Sequence, residues 1–276
     1  MYEQSTERRS YAQNLGNSAP WRLVEPFAGS GALSLQAVLG LPHGLVPYLG
    51  SKRRYADVLL RLLGPDVRSV DRAVLGDLGP VAMGWEAVLG DGWADVRDRM
   101  LGWGDGSLER YRELRAAAET DPAAWLWCAA RAFRPGHPAT GWKEPADVLS
   151  QVSRIGRIHI GRSALEFRRC DALALLATCG AGDIVYCDPP YPGTTGYDVD
   201  VDRGTLLAEL RAAADRGAVC LLSGHVPGAM PGWWDVEITG TGAAGWAVPE
   251  WVAMSRAPAV DLRRVKQIGL FRALEV

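Results

Sequence analysis

Residues Asp183 to Tyr191, Asp-Ile-Val-Tyr-Cys-Asp-Pro-Pro-Tyr, constrain this chain more than any other stretch. Ile184, Val185, Tyr186 and Cys187 form a β-branched and aromatic run too short for a helix, which predicts an interior strand buried on both faces. Asp188 stands at its carboxyl end. Pro189 and Pro190 lack an N–H and hold φ fixed, so neither continues a ladder and the strand stops in a stiff turn. That turn presents together a carboxylate, a proline carbonyl without a ladder partner and the ring of Tyr191. Open α/β sheets bind ligands outside the carboxyl ends of their strands, so the stretch reads as a site for a flat, amino-bearing ring.

A second strand-to-turn pattern lies near the amino end. Leu23 to Phe27 predicts a strand, Ala28-Gly29-Ser30-Gly31 a glycine-rich turn, and the following residues a helix that runs through Leu39 and ends at Gly40. Glycine lets such a turn bend sharply and approach a ligand, and the helix behind it offers free N–H groups. An ordinary strand-to-helix turn reads the same way. The dinucleotide fingerprint Gly-x-Gly-x-x-Gly is not met, because Ala32, Leu33 and Ser34 follow Gly31. Arg72 to Asp77 predicts a further strand ending in an acid, with a helix from Leu78 to Leu89 behind it. Asp77 at that place fits either an acceptor for ribose hydroxyls or a turn and N-cap residue.

From Asp91 to Ser163 the strand–helix alternation lapses into helical stretches, Leu108 to Ala118 and Pro122 to Phe133, and a loop around Trp142. It resumes with a strand at Leu165 that meets a helix at Asp171. Next come the central strand, a helix over Gly204 to Asp215, a strand over Ala218 to Leu222 leading into Ser223-Gly224-His225, and late strands at Trp233–Thr239, Trp251–Ser255 and Gln267–Phe271. The expected architecture is one α/β domain, residues 1–90 and 164–276, interrupted by a small, mostly helical insertion at 91–163.

Asp188-Pro189-Pro190-Tyr191 is identical to the Asp-Pro-Pro-Tyr motif of S-adenosylmethionine-dependent amino-methyltransferases, and Thr194, Thr195 and Tyr197 continue it in a way that resembles Dam-like DNA adenine N6-methyltransferases. Phe27-Ala28-Gly29-Ser30-Gly31 resembles methyltransferase motif I. The resemblance implies a Rossmann-like methyltransferase sheet in which Asp188, Pro189, Pro190 and Tyr191 handle the target base. By the same resemblance Phe27, Ala28, Gly29 and Gly31 cradle the methionine end of S-adenosyl-L-methionine, Asp77 its ribose and Asp171 its adenine end. Tyr48, Gly50 and Lys52 match a segment that closes over the cofactor, although the family places it before motif I and here it follows; a basic first turn of a surface helix is the other reading. Asp171 likewise fits an N-cap. The implied partner is double-stranded DNA with the adenine flipped out of the stack, and the insertion stands where the family carries its target-recognition region. The alternatives are an RNA amino-methyltransferase acting on adenine N6 or guanine N2, and a non-catalytic DNA-binding relative. Cytosine N4 enzymes usually carry Ser at the position of Asp188. Neither recognition sequence, oligomeric state nor pairing with a restriction nuclease is read from the chain.

Composition limits the partners. With a net charge of −2 the chain is no basic coat for nucleic acid, and phosphate contact needs a local patch. Between Arg131 and Arg169 the basic residues 131, 134, 143, 154, 157, 162, 168 and 169 outnumber the acids 144, 147 and 166, eight minus three giving +5. Either a phosphate-binding face or a solvated surface has that composition. The apolar region Leu33 to Leu49 is broken by Gln36, Pro42, His43 and Pro47, and residues 1–10 lack the apolar core of a signal peptide, so a cytoplasmic protein without a membrane span is expected. Five scattered cysteines and four histidines indicate neither a disulfide framework nor a metal site.

Overall fold

The apolar runs of the sequence become strands because their side chains find cover on both faces. In a computed structural model, which describes residues 20–47, 55–132, 141–142, 146–190, 201–224, 228–241, 247–259 and 271–274, the first strand is β1 (Trp21–Glu25). It lies between β2 (Val70–Gly76) and β4 (Asp183–Cys187), parallel to both, with Leu23 in register with Ala73 on one side and Ile184 on the other. β3 (Leu165–Arg168) flanks β2 and β5 (Val219–Ser223) flanks β4, again parallel. The strands β6 (Trp234–Thr241), β7 (Ala247–Met254) and β8 (Phe271–Leu274) complete an eight-stranded sheet of order β3-β2-β1-β4-β5-β7-β6-β8. β7 runs against β5, and β6 against both β7 and β8, so the late strands form an antiparallel margin.

Side chains alternate along each strand and fill two cores. On one face Leu23, Leu75, Ile184, Tyr186 and Leu221 pack with α1 (Ala32–Leu39), α2 (Ala56–Leu63) and α3 (Val81–Leu89). On the other Val24, Val74, Val185 and Leu222 pack with α8 (Ala172–Leu176) and α9 (Arg203–Asp215). The chain winds outward from β1 to β3 over the first face and returns through α8 to β4 over the second. The direction reverses between β1 and β4, which opens a crevice outside their carboxyl ends. This mixed, mostly parallel α/β sheet is compatible with a Rossmann-like fold.

Between β2 and β3, after α3, every described helix of residues 91–163 joins the first core. These are α4 (Trp93–Trp103), α5 (Leu108–Ala117), α6 (Pro122–Ala129) and α7 (Val148–Ile160). Their hub is Arg131, fully buried. Its guanidinium donates to the carbonyls of Asp105 (2.9 Å), Trp127 (2.8 Å) and Ala146 (2.6 Å) and to Gln151 Oε1 (2.8 Å), and lies over the Trp127 ring at 4.0 Å. Burial pulls its pKa down to about 10, so it stays charged at neutral pH. Among the described residues no helix is long and apolar enough to cross a membrane, and no group of His, Cys, Asp and Glu is placed to hold a metal ion. All five cysteines are free thiols.

Candidate functional site

The crevice between β1 and β4 is built on the glycine-rich turn. Gly29 and Gly31 sit at φ +48° and +62°, left-handed conformations that glycine adopts without steric cost. The turn closes on itself through Gly31 N–H to the Ala28 carbonyl (2.7 Å), and it is tied to β2 by Ala28 N–H to the Gly76 carbonyl (2.9 Å). Gly29 is held at both ends: its N–H donates to Asp77 Oδ2 (2.9 Å) and its carbonyl accepts from the Trp85 indole N–H (2.8 Å). A methyl at Gly31 would stand 2.6 Å from Trp85 Cζ2. On the remaining side Leu45 N–H reaches the Ser30 carbonyl (2.8 Å). The turn is therefore clamped from three directions before any ligand arrives.

Gly31 is the N-cap of α1 and has no side chain to cap it. Glu25, from the end of β1, supplies the missing acceptor: its Oε1 takes the Ser34 N–H at 2.6 Å. This carboxyl is 3% exposed. Burial pushes it up to about 7 against the pull of the Ser34 hydrogen bonds, and the charge of Asp188 acts in the same upward direction. The buried Glu25 carboxyl therefore lies close enough to Asp188, on the neighbouring strand, to feel its charge.

Asp188 leaves the end of β4 half-buried, followed by a buried Pro189. Its Oδ1 accepts from the Ser223 hydroxyl at 2.7 Å, and Ser223 Oγ in turn accepts from the Tyr186 hydroxyl at 3.2 Å. Ser223 is fully buried and Tyr186 is 2% exposed. Beside the ends of β4 and β5, Arg203 donates through Nη2 to the Gly224 carbonyl (3.3 Å), while its buried Nη1 has no hydrogen-bond partner among the described residues. Burial drives the Cys187 thiol well up, so it offers no thiolate to this site.

The residues singled out from the sequence divide into three groups. Ala28, Gly29, Gly31 and Asp77 are tied together at the glycine-rich turn, Asp188, Pro189 and Pro190 follow the end of the neighbouring β4, and Phe27 is half-buried against the second core. Asp77 is turned toward the glycine-rich turn, its second oxygen accepting from Gly79 N–H at 2.7 Å, and burial raises its pKa against those donors. Asp171 is exposed and caps α8, Oδ1 accepting from Leu173 N–H at 2.8 Å. Tyr191, Thr194, Thr195, Tyr197, Tyr48, Gly50, Lys52, Lys143 and His225 lie outside the described residues.

The basic count between Arg131 and Arg169 needs correction. Arg131 is no phosphate ligand, because the helical insertion is built around it. Arg168 pairs with Glu166 (2.6 Å), and Arg169 makes a two-pronged pair with Glu86 (2.8 and 2.6 Å), an acid that the linear count did not include. Arg157 and Arg162, at the carboxyl end of α7, remain exposed. Sequence reasoning missed Glu25, Trp85 and Arg203, and named Ser223 only as the residue that closes a strand. The first had a signal: an acid closing an apolar strand just before the glycines.

Set against known proteins, the chain matches no protein-family model and no curated protein. What the fold and site define by themselves is an α/β sheet with a braced glycine turn and two hydrogen-bonded carboxyl groups, Glu25 and Asp188, on the neighbouring strands at its switch point.

Proposed function

We propose that this chain is an S-adenosylmethionine-dependent amino-methyltransferase that acts on adenine N6 in DNA. The observation that carries the reading is the meeting of the glycine-rich turn and the Asp-Pro-Pro turn at the carboxyl ends of neighbouring strands, with Glu25 buried between them. The donor set supports one kind of cofactor over another. A pyrophosphate needs free N–H groups and repels carboxylates, yet here the Gly29 N–H is taken by Asp77, and the Glu25 carboxyl is buried near the charge of Asp188. That environment suits a cationic group. S-adenosylmethionine carries a sulfonium and an ammonium, and when bound it supplies an electrophilic methyl group. Phe27, Ala28, Gly29 and Gly31 would hold its methionine end, with Asp77 and Asp171 toward ribose and adenine and Tyr48 and Lys52 closing over it.

The protein's own part is to orient the nucleophile. An exocyclic amine conjugated to a purine is a weak one. In this reading its two N–H groups donate to the Asp188 carboxylate and the Pro189 carbonyl. The nitrogen lone pair is thereby turned away from the ring, and the positive charge that develops is shared with a carboxylate. Tyr191 stacks on the extruded base. No general base is required before transfer, and the amine sheds its extra proton afterward to solvent.

Purified protein incubated with methyl-labelled S-adenosylmethionine and duplex DNA or total RNA, then digested to nucleosides, tests this. Labelled N6-methyldeoxyadenosine is expected. Label confined to RNA would remove DNA as the substrate, and no label in either would remove the reaction. Asp188→Ala is expected to lower transfer by at least about a hundredfold while binding of S-adenosylmethionine persists; transfer at the unsubstituted rate would exclude Asp188 from the chemistry.

A further inference from the structure

We infer that Ser223 and Tyr186 are positioning residues for Asp188, forming a directional hydrogen-bond relay that fixes the carboxylate as an acceptor toward the target amine; this rests on the methyltransferase reading. A serine hydroxyl can rotate, and alone it donates or accepts according to its surroundings. Here the choice is made for it. The Tyr186 hydroxyl donates to Ser223 Oγ at 3.2 Å, so the Ser223 proton is directed to Asp188 Oδ1 at 2.7 Å. The relay crosses from β4 to β5 and back, and strand register builds it: Tyr186 pairs with Leu221 and Cys187 with Leu222, which sets Asp188 beside Ser223. Period-two alternation puts Tyr186, Asp188, Leu221 and Ser223 on one face.

The chemistry explains why such a relay is worth burying. A carboxylate on a turn retains freedom about its side-chain torsions, and an amine that must be aligned within a few tenths of an ångström gains from an acceptor held in one rotamer. Tyr186 and Ser223 sit 2% and 0% exposed. Burial limits solvent access to the Ser223 hydroxyl, which strengthens its hydrogen bond. Tyr186 never approaches the substrate in this scheme. It acts through Ser223.

The test is a double-mutant cycle on the whole chain with Ser223→Ala, Tyr186→Phe and the double variant. Measured are kcat and KM for methyl transfer, affinity for S-adenosylmethionine by calorimetry, and melting temperature. Ser223→Ala is expected to lower kcat roughly tenfold to a hundredfold, the scale of one hydrogen bond to an ionised group, with KM for the cofactor little changed. Tyr186→Phe is expected to give a smaller loss, and no further loss once Ser223 is already Ala, because its effect passes through that hydroxyl. A merely structural role would move melting temperature and leave the kcat losses additive. Equal kcat in Ser223→Ala and the unsubstituted protein, or additive losses in the double variant, would overturn the relay alone. Absence of transfer by the unsubstituted protein would overturn the methyltransferase reading and the relay with it.

Discussion

One buried carboxyl group makes the stability of this protein depend on pH near neutrality. Glu25 titrates at about 7 in the folded chain, mainly because burial penalises its charged form. In the unfolded chain it titrates at the ordinary glutamate value, so over the intervening range the native state keeps a proton that the unfolded state has released. Stability from this group is therefore full at acid pH and declines as pH rises through about 7. The loss is on the order of 3 kcal/mol. Melting temperatures between pH 5 and pH 8 are expected to fall for the unsubstituted protein and to fall less steeply for Glu25→Gln, which keeps the acceptor for Ser34 N–H; parallel slopes would remove Glu25 as a cause. A bound cation reverses the preference. Calorimetry of S-adenosylmethionine binding near pH 6.5, in buffers of different ionisation enthalpy, is expected to show proton release that Glu25→Gln abolishes.

The glycine-rich turn is the element on which the site depends, and its geometry leaves little room. Gly31→Ala asks a methyl-bearing residue to hold φ +62° with its Cβ 2.6 Å from Trp85. Strain and overpacking together are expected to cost about 2–4 kcal/mol in chemical denaturation and to weaken cofactor binding; unchanged affinity would show that the turn does not hold the cofactor. At this scale the sequence was readable where the signal is local. Gly29, Gly31, Pro189 and Pro190 announce their turns through backbone limits alone, and Gly40 closes α1 where expected. The braces were hidden because strand order makes them: Asp77 to Gly29 spans 48 residues, Trp85 to Gly29 spans 56, and Ser223 to Asp188 spans 35. Helix α7 is a different miss. Val148, Val152, Ile155 and Ile158 recur at helical spacing and form its buried stripe, a pattern legible in the sequence and passed over for its charges. Helix α4 hides the same way, with Trp93, Val96 and Met100 buried among exposed charged residues.

Across the whole molecule, charge is divided between what builds the fold and what faces solvent. Arg131→Lys keeps the charge but brings three donors on one nitrogen to four acceptors, the carbonyls of Asp105, Trp127 and Ala146 and Gln151 Oε1. Urea denaturation is expected to show a loss of about 3 kcal/mol, with no change in the salt dependence of DNA binding. Arg157→Ala and Arg162→Ala are expected to do the reverse, each lowering the slope of log affinity against log salt by about 1 at constant melting temperature; slopes unchanged in both would place nucleic acid on another face. The continuous core that joins Leu23, Leu75 and Trp85 to Trp125, Trp127 and Ile155 has a consequence for protein engineering. Residues 91–163 are not a cassette. A chimera that exchanged them alone would uncover the face of α3 on which Trp125 packs at Gly84 and His159 meets the Val88 carbonyl, and α3 carries the Trp85 that holds the Gly29 carbonyl. The smallest transplantable unit begins with α3, so any attempt to retarget this protein by grafting has to carry part of the proposed cofactor site with it.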